Sequence, residues 1–338
     1  MYRIFRPILF LFSPETIHVL AVKVFSSVSR NSVLKALIGL IYKRRTPSLP
    51  TELFGLTFPN PVGLAGGFDK NAVCYNALFE FGFGFIEVGS LTPQAQPGNP
   101  RPRIFRFPAD KAIINRMGIN NAGVRKAIEN LKAYRPGGIL CGNISKNSNS
   151  EGDQITRDYL TSFTMLYDFV DMFTLNVSCP NVEGLSNLQD ISFLSEIVDA
   201  LIEARLSMEL YKPLLVKISP DIPISQLDEI VNYCRLAGVD GIIIGNTTRS
   251  RDGMKSDTSS VGQGGLSGAP LTEKTISLIK HVSELTSGRF PIVASGGIMT
   301  PSDAKHAMNA GASLVEIYTG FIYNGPGIVK SIVEELKK

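Results

Sequence analysis

Residues 214–219 read Leu-Leu-Val-Lys-Ile-Ser, and after a gap long enough for one helix residues 241–247 read Gly-Ile-Ile-Ile-Gly-Asn-Thr. Both runs are largely apolar, which is typical of parallel strands that are covered on both faces. Similar runs occupy residues 61–67, 85–90, 138–145, 172–178, 291–297 and 314–319. Eight such runs separated by helix-length segments predict an α/β fold, a (β/α)8 or TIM barrel, rather than an open sheet.

Polar side chains stand at or just beyond the C-terminal ends of seven of these runs. The strand ends of a (β/α)8 barrel meet at one mouth, where active sites are built. A single Asn or Lys at a strand end is usually a turn residue, but a set on seven strands predicts a site. The set is Lys70, Ser90, Asn143, Asn176, Lys217, Asn246 and Tyr318.

Two glycine-containing segments follow the last two runs, Ser-Gly-Gly at 295–297 and Tyr-Thr-Gly at 318–320. Their backbone N–H groups and a hydroxyl can bind an anion. Because barrels of this kind usually bind phosphate after strands seven and eight, the two segments predict a phosphorylated ligand.

Composition narrows the class of protein. The chain has 338 residues, 44% of them apolar, and a net charge of +4. It can therefore bury a large core, and no basic run indicates a nucleic-acid partner. The four cysteines lack metal-type or disulfide-type spacing, which indicates free thiols, and the three histidines are scattered, so no metal site is predicted.

The segment 1–45 differs from the barrel region 46–338. It contains two short amphipathic stretches, the first opened by an N-cap and proline at Ser13 and Pro14, and it ends in the basic residues 43–45. No apolar run reaches the ~18 residues of a spanning helix. The segment therefore predicts an interfacial membrane anchor. The alternative is a helix pair that packs on the barrel.

The sharpest local motif is Asn-Val-Ser-Cys-Pro-Asn at 176–181. Its two amides can orient a planar polar ring through paired donors and acceptors. The thiol of Cys179 can serve as a base where its surroundings favour the thiolate. The alternative is a small buried cysteine at a turn.

This motif resembles the catalytic signature of the dihydroorotate dehydrogenases. Further segments that resemble this family follow in family order, and together they span about residues 50–325. They are residues 66–70, 98–103, 115–118, 246–248 and 264–268.

The resemblance implies oxidation of dihydroorotate to orotate in pyrimidine (UMP) biosynthesis. Cys179 would take the proton from C5, and hydride would pass from C6 to FMN. The implied FMN contacts are Gly66, Gly67, Phe68, Asp69, Lys70, Ser90, Asn143, Asn176, Lys217, Gly245, Gly268, Gly297, Tyr318 and Thr319. The implied substrate contacts are Lys70, Asn115, Arg116, Met117, Gly118, Ile119, Asn176, Asn181, Asn246 and Thr247.

The N-terminal extension resembles the membrane-associated group of the family, which passes electrons to a quinone. We therefore expect a quinone co-substrate, reached along a path that Arg101 or Arg103 lines, and a peripheral position on the cytoplasmic face of the cell membrane. Cys179 departs from that group, which usually has serine here, whereas cysteine is typical of the soluble groups. A soluble acceptor such as fumarate is the alternative.

Three other functions are weighed. A dihydropyrimidine dehydrogenase has a similar motif, but Lys70 and the 115–118 loop favour a carboxylated substrate. A hydroxy-acid-oxidising FMN barrel would need a histidine base, and no histidine follows a strand. A non-catalytic membrane-peripheral barrel that binds a phosphorylated ligand is compatible with the fold alone. Residues 182–189 are predicted to form a lid over Cys179.

Overall fold

The computed structural model describes residues 2–134, 136–181 and 188–338. Its strands are β1 (Thr51–Leu53), β2 (Leu56–Phe58), β3 (Val62–Leu64), β4 (Phe85–Leu91), β5 (Ile104–Phe107), β6 (Ala112–Asn115), β7 (Ile139–Ile144), β8 (Met172–Asn176), β9 (Leu214–Ile218), β10 (Gly241–Ile244), β11 (Gly265–Gly268), β12 (Ile292–Ser295) and β13 (Leu314–Ile317).

The helices are α1 (Tyr2–Phe10), α2 (Pro14–Ser29), α3 (Ser32–Ile41), α4 (Tyr75–Phe79), α5 (Val124–Lys132), α6 (Gln154–Leu166), α7 (Ile191–Leu206), α8 (Ile224–Ala237), α9 (Thr272–Leu285), α10 (Pro301–Asn309), α11 (Thr319–Asn324) and α12 (Gly327–Leu336).

Eight parallel strands form a closed barrel in the order β3, β4, β7, β8, β9, β10, β12, β13, with β13 pairing back onto β3. Each of the eight predicted runs contains one barrel strand, so the predicted (β/α)8 fold is confirmed. The strand side chains are almost all buried, because the helices cover the outside and the inward-facing side chains fill the inside.

The antiparallel hairpin β1–β2 covers the N-terminal end of the barrel. Phe58 of β2 packs edge-on against Phe85 at the start of β4, with 5.6 Å between ring centroids. The first inward-facing residues of other strands, such as Leu215 and Ile243, belong to the same buried cluster. This end of the barrel is therefore sealed, and a site is left to the opposite end.

A second sheet stands at that opposite end. Strands β5, β6 and β11 pair antiparallel in the order β5, β6, β11. Asn115 of β6 pairs with both Ile104 of β5 and Gly265 of β11. The sheet was not predicted, since β11 lies far along the chain from the neighbouring strands β5 and β6. It brings the 115–118 and 264–268 motifs together at the barrel mouth.

The N-terminal segment contains three helices, whereas two were predicted. Tyr2 and Arg6 of α1 donate hydrogen bonds to the carbonyls of Ile322 and Tyr323 (2.5 and 2.9 Å), so a tertiary contact stabilises this first short helix. Ser13 caps α2 as predicted, accepting from the N–H of Thr16 at 3.4 Å. Within the described residues no single helix is long and apolar enough to cross a bilayer, although α2 and residues 32–45, joined at a bend of 108°, together pass that test of length and composition.

Candidate active site

The C-terminal ends of the barrel strands open into a cavity of about 430 Å3 that extends to α1 and α2. One end is lined by polar groups and the other by apolar and aromatic side chains, and the volume is ordinary for a small-molecule site. All but three of the predicted site residues line it. They are Gly66, Gly67, Phe68, Lys70, Ser90, Asn115, Met117, Gly118, Ile119, Asn143, Asn176, Cys179, Asn181, Lys217, Asn246, Thr247, Gly268, Gly297, Tyr318 and Thr319.

Four asparagines form two linked pairs at the polar end. Nδ2 of Asn246 lies 3.5 Å from Oδ1 of Asn176 and donates to Oγ of Ser178 at 2.9 Å. Nδ2 of Asn181 donates to Oδ1 of Asn115 at 3.1 Å. These bonds hold the amides in fixed orientations, so that they can recognise a ring that carries both carbonyl and N–H groups.

Cys179 lies in the turn after β8 and lines the cavity. Burial raises the pKa of its thiol to about 11, while the N–H of Asn181 and the charge of Arg249 act in the opposite direction. Burial has the larger effect, so the thiol is protonated near neutral pH, and the thiolate fraction grows as the pH rises.

Lys70 lies in the loop after β3, where Nζ donates to the carbonyl of Gly67 at 2.5 Å. Burial, and next the charge of Arg103, lower its pKa to about 8, although Asp69 and Glu15 oppose this. A bound carboxylate would pair with the ammonium and restore its charge, so Lys70 suits an anionic substrate group.

Three buried charged side chains form a network across the barrel interior. Nζ of Lys217 lies 2.8 Å from Oε2 of Glu87 and 3.2 Å from Oε2 of Glu316. Burial opposes the charge of Lys217, but Glu316 and Glu87 together raise its pKa. Burial and the neighbouring Glu87 raise the pKa of Glu316 to about 7. Burial also opposes ionisation of Glu87, yet Lys217 and the N–H of Gly66 hold its pKa below the usual value.

The residues fit a phosphorylated cofactor with a polar ring. Gly296 and Gly297 have φ values of +128° and +71°, and a Cβ on Gly297 would come within 2.4 Å of the Thr272 backbone. The segment thus presents bare backbone to the cavity, as a phosphate cradle requires. At the ring end, Oδ1 of Asn143 is a buried acceptor for which the described residues provide no donor. A cofactor N–H would satisfy it.

Three predicted contacts are placed away from the cavity. The carboxylate of Asp69 accepts from the N–H groups of Val73, Cys74 and Tyr75 at 2.7–2.8 Å, so it holds the Lys70 loop instead. Gly245 packs closely against the backbone of Ser295: a Cβ on Gly245 would lie 1.8 Å from the carbonyl oxygen of Ser295. Arg116 turns outward, and its guanidinium donates to the carbonyls of Pro102, Val261 and Gln263.

Aromatic side chains from α2 and the barrel line the apolar end of the cavity. The ring of His18 meets Phe68 edge-on with 5.5 Å between centroids, and Phe68 in turn contacts Tyr318 and Phe321. Burial, and then the charge of Lys70, lower the pKa of His18 to about 3, so this imidazole is neutral. A hydrophobic ring-containing molecule suits this end.

The arginine that lines the apolar end of the cavity is Arg106, whereas Arg101 or Arg103 was expected to line the quinone path. Arg101 and Arg103 are not among the residues that line the cavity, because both are bound to the carboxylate of Glu15 in α2 (3.0 and 2.9 Å). Arg106 lines it, with its guanidinium 4.1 Å from the ring centre of Phe10 and donating to the carbonyl of Phe12.

Four residues in or beside the cavity were not predicted from the sequence: Glu87, Glu316, His18 and Arg106. A glutamate inside an otherwise apolar strand was an available signal for the first two, since an unpaired buried charge is too costly to persist. No local pattern distinguished His18 or Arg106, whose placement depends on how α1 and α2 pack on the barrel. Residues 182–187 of the predicted lid lie outside the described residues.

Comparisons with known proteins agree with this geometry. The family model described as "Dihydroorotate dehydrogenase" matches residues 48–338. A dihydroorotate dehydrogenase (quinone) from Idiomarina loihiensis is 43% identical over 341 residues, covering 99% of this chain and 100% of that protein. One from Christiangramia forsetii is 42% identical over 337 residues, covering 99% and 98%.

A solved structure gives the same result in three dimensions. The crystal structure of DHODH in complex with ferulenol from Eimeria tenella has a TM-score of 0.86 to this fold at 34% identity, covering 96% of this chain and 90% of that one. The barrel, its extension and the polar cavity thus have relatives of one kind along almost their whole length, and the chain belongs to the dihydroorotate dehydrogenase family.

Proposed function

We propose that this protein oxidises dihydroorotate to orotate in pyrimidine biosynthesis, with FMN as cofactor and a quinone as electron acceptor. The observation that carries the proposal is one cavity in which Cys179, the four asparagines and Lys70 lie at one end and an aromatic, apolar passage lies at the other. Such a cavity can bind a polar anionic ring at its first end and a hydrophobic electron acceptor at its second.

FMN, when bound, supplies the acceptor for the hydride that leaves C6 of the substrate. The backbone at Gly296 and Gly297 and the hydroxyl of Thr319, which is fixed 2.9 Å from the hydroxyl of Ser267, would hold its phosphate. Lys217 would place a positive charge beside its ring, and Asn143 would accept from a ring N–H. Gly296 and Gly297 carry no side chain that would keep the phosphate away from their backbone.

The chain's own groups prepare the substrate. Lys70 would pair with the carboxylate, and the amides of Asn115, Asn176, Asn181 and Asn246 would fix the ring in its plane. The thiolate of Cys179 would then take the proton from C5, whose acidity comes from the C4 carbonyl. The C5–H electron pair becomes the C5=C6 double bond as hydride leaves C6, so the substrate loses one proton and one hydride, and the hydride carries both electrons.

The apolar end of the cavity supports quinone as the acceptor. Fumarate is a small dianion, and a passage whose walls include Phe25, Phe68 and Phe81 would remove its hydration without replacing it by polar groups. Arg106 provides one cation at that end, which suits the carbonyl oxygen of a quinone ring. Cys179 is the one feature typical of the fumarate-using groups, and it concerns the oxidation of dihydroorotate rather than the acceptor.

We further propose that residues 1–45 attach the barrel 46–338 to the cytoplasmic face of a membrane. Many apolar side chains of this segment are exposed, among them Leu11 (84%) between α1 and α2 and Leu37 (52%) in α3. An exposed apolar patch of this kind, flanked by the basic residues 43–45, suits an interfacial anchor through which quinone enters.

The decisive experiment is anaerobic titration of the purified yellow protein with dihydroorotate, followed by reoxidation with a panel of acceptors. We expect flavin absorbance to bleach and a quinone analogue to restore it much faster than fumarate. Fast recovery with fumarate and slow recovery with quinone would overturn the acceptor assignment. A protein that stays yellow would overturn the reaction.

The base is tested by substitution of Cys179. We expect Cys179→Ala to retain FMN and to lose turnover by at least about a hundredfold, the usual contribution of a general base. Cys179→Ser, which keeps a group that can accept the proton, should retain measurable activity. Cys234→Ala, the same change at a buried cysteine in α8, is the matched control and should remain active. Normal turnover in Cys179→Ala would remove the base assignment.

A further inference from the structure

A second cleft borders the active site. Its volume is about 1140 Å3, and Asn181 lines both this cleft and the catalytic cavity. The turn that carries Cys179 forms part of its wall: Nη2 of Arg249 donates to the carbonyl of Pro180 at 3.0 Å, and Nδ2 of Asn99 donates to the carbonyl of Asn181 at 3.1 Å. The cleft therefore meets the cavity at its polar, substrate-binding end.

Four arginines line this cleft, and its lining includes no acidic residue among those that the structure describes. Arg101 is paired with Glu15 at 3.0 Å. Arg116, Arg249 and Arg251 form no ion pair with any carboxylate of the described residues. The charge of Asp221 acts on Arg251, but this carboxylate is itself bound to Lys274 at 2.7 Å.

The three unpaired guanidinium groups are held by backbone carbonyls. Arg251 donates to the carbonyls of Gly262 and Gly264, and Arg116 to that of Val261. A carbonyl dipole orients a guanidinium but leaves its full charge in place. A concave surface that carries one sign of charge focuses its field and concentrates ions of the opposite sign. The cleft is therefore built to attract an anion.

We propose that this arginine-lined cleft is the vestibule through which dihydroorotate reaches Cys179 and orotate leaves. The inference rests on the proposed function, which supplies the ligand: a dihydropyrimidine monoanion and its oxidised product. Both carry one carboxylate, and the cleft leads them to Lys70, the cation that receives the carboxylate. The electron acceptor uses the opposite, apolar end, so the two reactants have separate routes.

Arg249 is the residue to change. It is exposed, and within the described part of the chain its guanidinium makes one hydrogen bond, to the carbonyl of Pro180. Arg251 and Arg116 each donate to several carbonyls of the surrounding loops. Arg249→Gln removes one charge from the vestibule, and Arg249→Glu reverses it. Arg235→Glu, at an exposed position near the end of α8, makes the same change in net charge outside the cleft and is the matched control.

The measurement is the association rate constant of orotate with the FMN-loaded protein, followed by stopped-flow flavin absorbance at increasing sodium chloride. At low salt we expect Arg249→Gln to associate about threefold to tenfold more slowly than the wild type, and Arg249→Glu more slowly still. Near 1 M salt, where the screening length is ~3 Å, the three rates should converge. Arg235→Glu should behave as the wild type throughout.

Two outcomes would overturn the vestibule. One is an unchanged association rate in Arg249→Glu at low salt. The other is a loss that is the same at all salt concentrations, which would show a distorted turn at Pro180 instead of a lost field. Both are separate from a failure of the proposed function, because that failure would appear in the wild type as a flavin that dihydroorotate does not bleach.

Discussion

At the scale of single residues, burial displaces the pKa values of Cys179 and Lys70 in opposite directions, so that the thiol has the higher value of the two. Burial raises the pKa of the Cys179 thiol to about 11 and lowers that of the Lys70 ammonium to about 8. If Cys179 is the base and Lys70 binds the carboxylate, as proposed, the catalytic form needs a thiolate and an ammonium together. In the free enzyme this form is scarce at neutral pH, and it becomes more abundant as the pH rises to about 8.

The rate of flavin reduction at saturating dihydroorotate should therefore rise with pH from 6 to 9, by up to about tenfold per unit, because the thiolate fraction grows below a pKa of about 11. The substrate carboxylate keeps Lys70 charged in the complex. The second-order rate constant, which reports the free enzyme, should stop rising near pH 8 as Lys70 loses its proton.

Stopped-flow reduction across that pH range checks both limbs. A rate at saturation that does not change between pH 6 and 9 would contradict the requirement for a thiolate. Lys70→Met is the control for the second limb: it should weaken dihydroorotate binding strongly and remove the change of slope near pH 8.

The sequence could predict which residues near strand ends lie together at one mouth of the barrel. Asn176, Cys179 and Lys217 each follow or end an apolar run, so the strand pattern and the barrel rule together place them at one mouth. Asp69, Gly245 and Arg116 occupy matching motifs, yet their side chains or Cα atoms serve neighbouring backbone. A motif gives proximity to the site, whereas contact depends on the direction of each side chain.

At the scale of elements, one carboxylate of α2 forms ion pairs with two arginines of the barrel region. Glu15 is 9% exposed, and it binds Arg101 and Arg103 of the segment before β5. These ion pairs fix the position of α2 relative to β5. They therefore affect both walls of the apolar passage, since α2 carries His18 and Phe25 and β5 carries Arg106. The ion pairs lie outside the cavity and can be changed without touching a ligand.

We expect Glu15→Gln to raise the KM for a quinone analogue about threefold to tenfold and to reduce the free energy of unfolding by about 1–3 kcal/mol, because Arg103 loses its buried counter-charge. Anaerobic reduction at saturating dihydroorotate should be unchanged, because the bound carboxylate keeps Lys70 charged without the help of Glu15. Steady-state assays and urea unfolding measure the two effects. Glu129→Gln, in an exposed pair with Lys126, is the control. Equal effects on both half-reactions would show that Glu15 acts on the whole fold.

The barrel strands were predictable because each is a buried run, and burial on both faces leaves a continuous apolar pattern. The sheet of β5, β6 and β11 has no such pattern. Leu266 and Ile114 pair across about 150 residues of chain, and only the folded barrel brings them together. The same holds for α1, whose bonds to Ile322 and Tyr323 depend on the C-terminal helices.

At the scale of the whole molecule, exposed apolar surface is concentrated on the three N-terminal helices. The exposed large apolar residues of that segment are Ile4, Phe5, Ile8, Leu11, Phe12, Val19, Leu20, Val24, Val33, Leu34, Leu37, Leu40 and Ile41. The barrel has few by comparison, and they are scattered over several helices. This asymmetry gives the molecule one face suited to lipid.

The double variant Leu11→Glu and Leu37→Glu should reduce binding to anionic phospholipid vesicles by at least about tenfold, since each leucine contributes ~1.5–3 kcal/mol when buried in the interface. Vesicle sedimentation measures the bound fraction. Leu236→Glu, at a position 89% exposed on α8, is the control and should bind as the wild type. Unaltered sedimentation of the double variant would place the lipid-binding face elsewhere.

The cavity has one polar and one apolar end, and this difference bears on the kinetic mechanism. A pyrimidine that arrives among asparagines and a hydrophobic acceptor that arrives between α1 and α2 do not compete for the same space. Each half-reaction can finish without the other reactant present, which is the condition for double-displacement kinetics. Accumulated orotate would then inhibit the enzyme by occupying the pyrimidine site, and it would not block the binding of the electron acceptor.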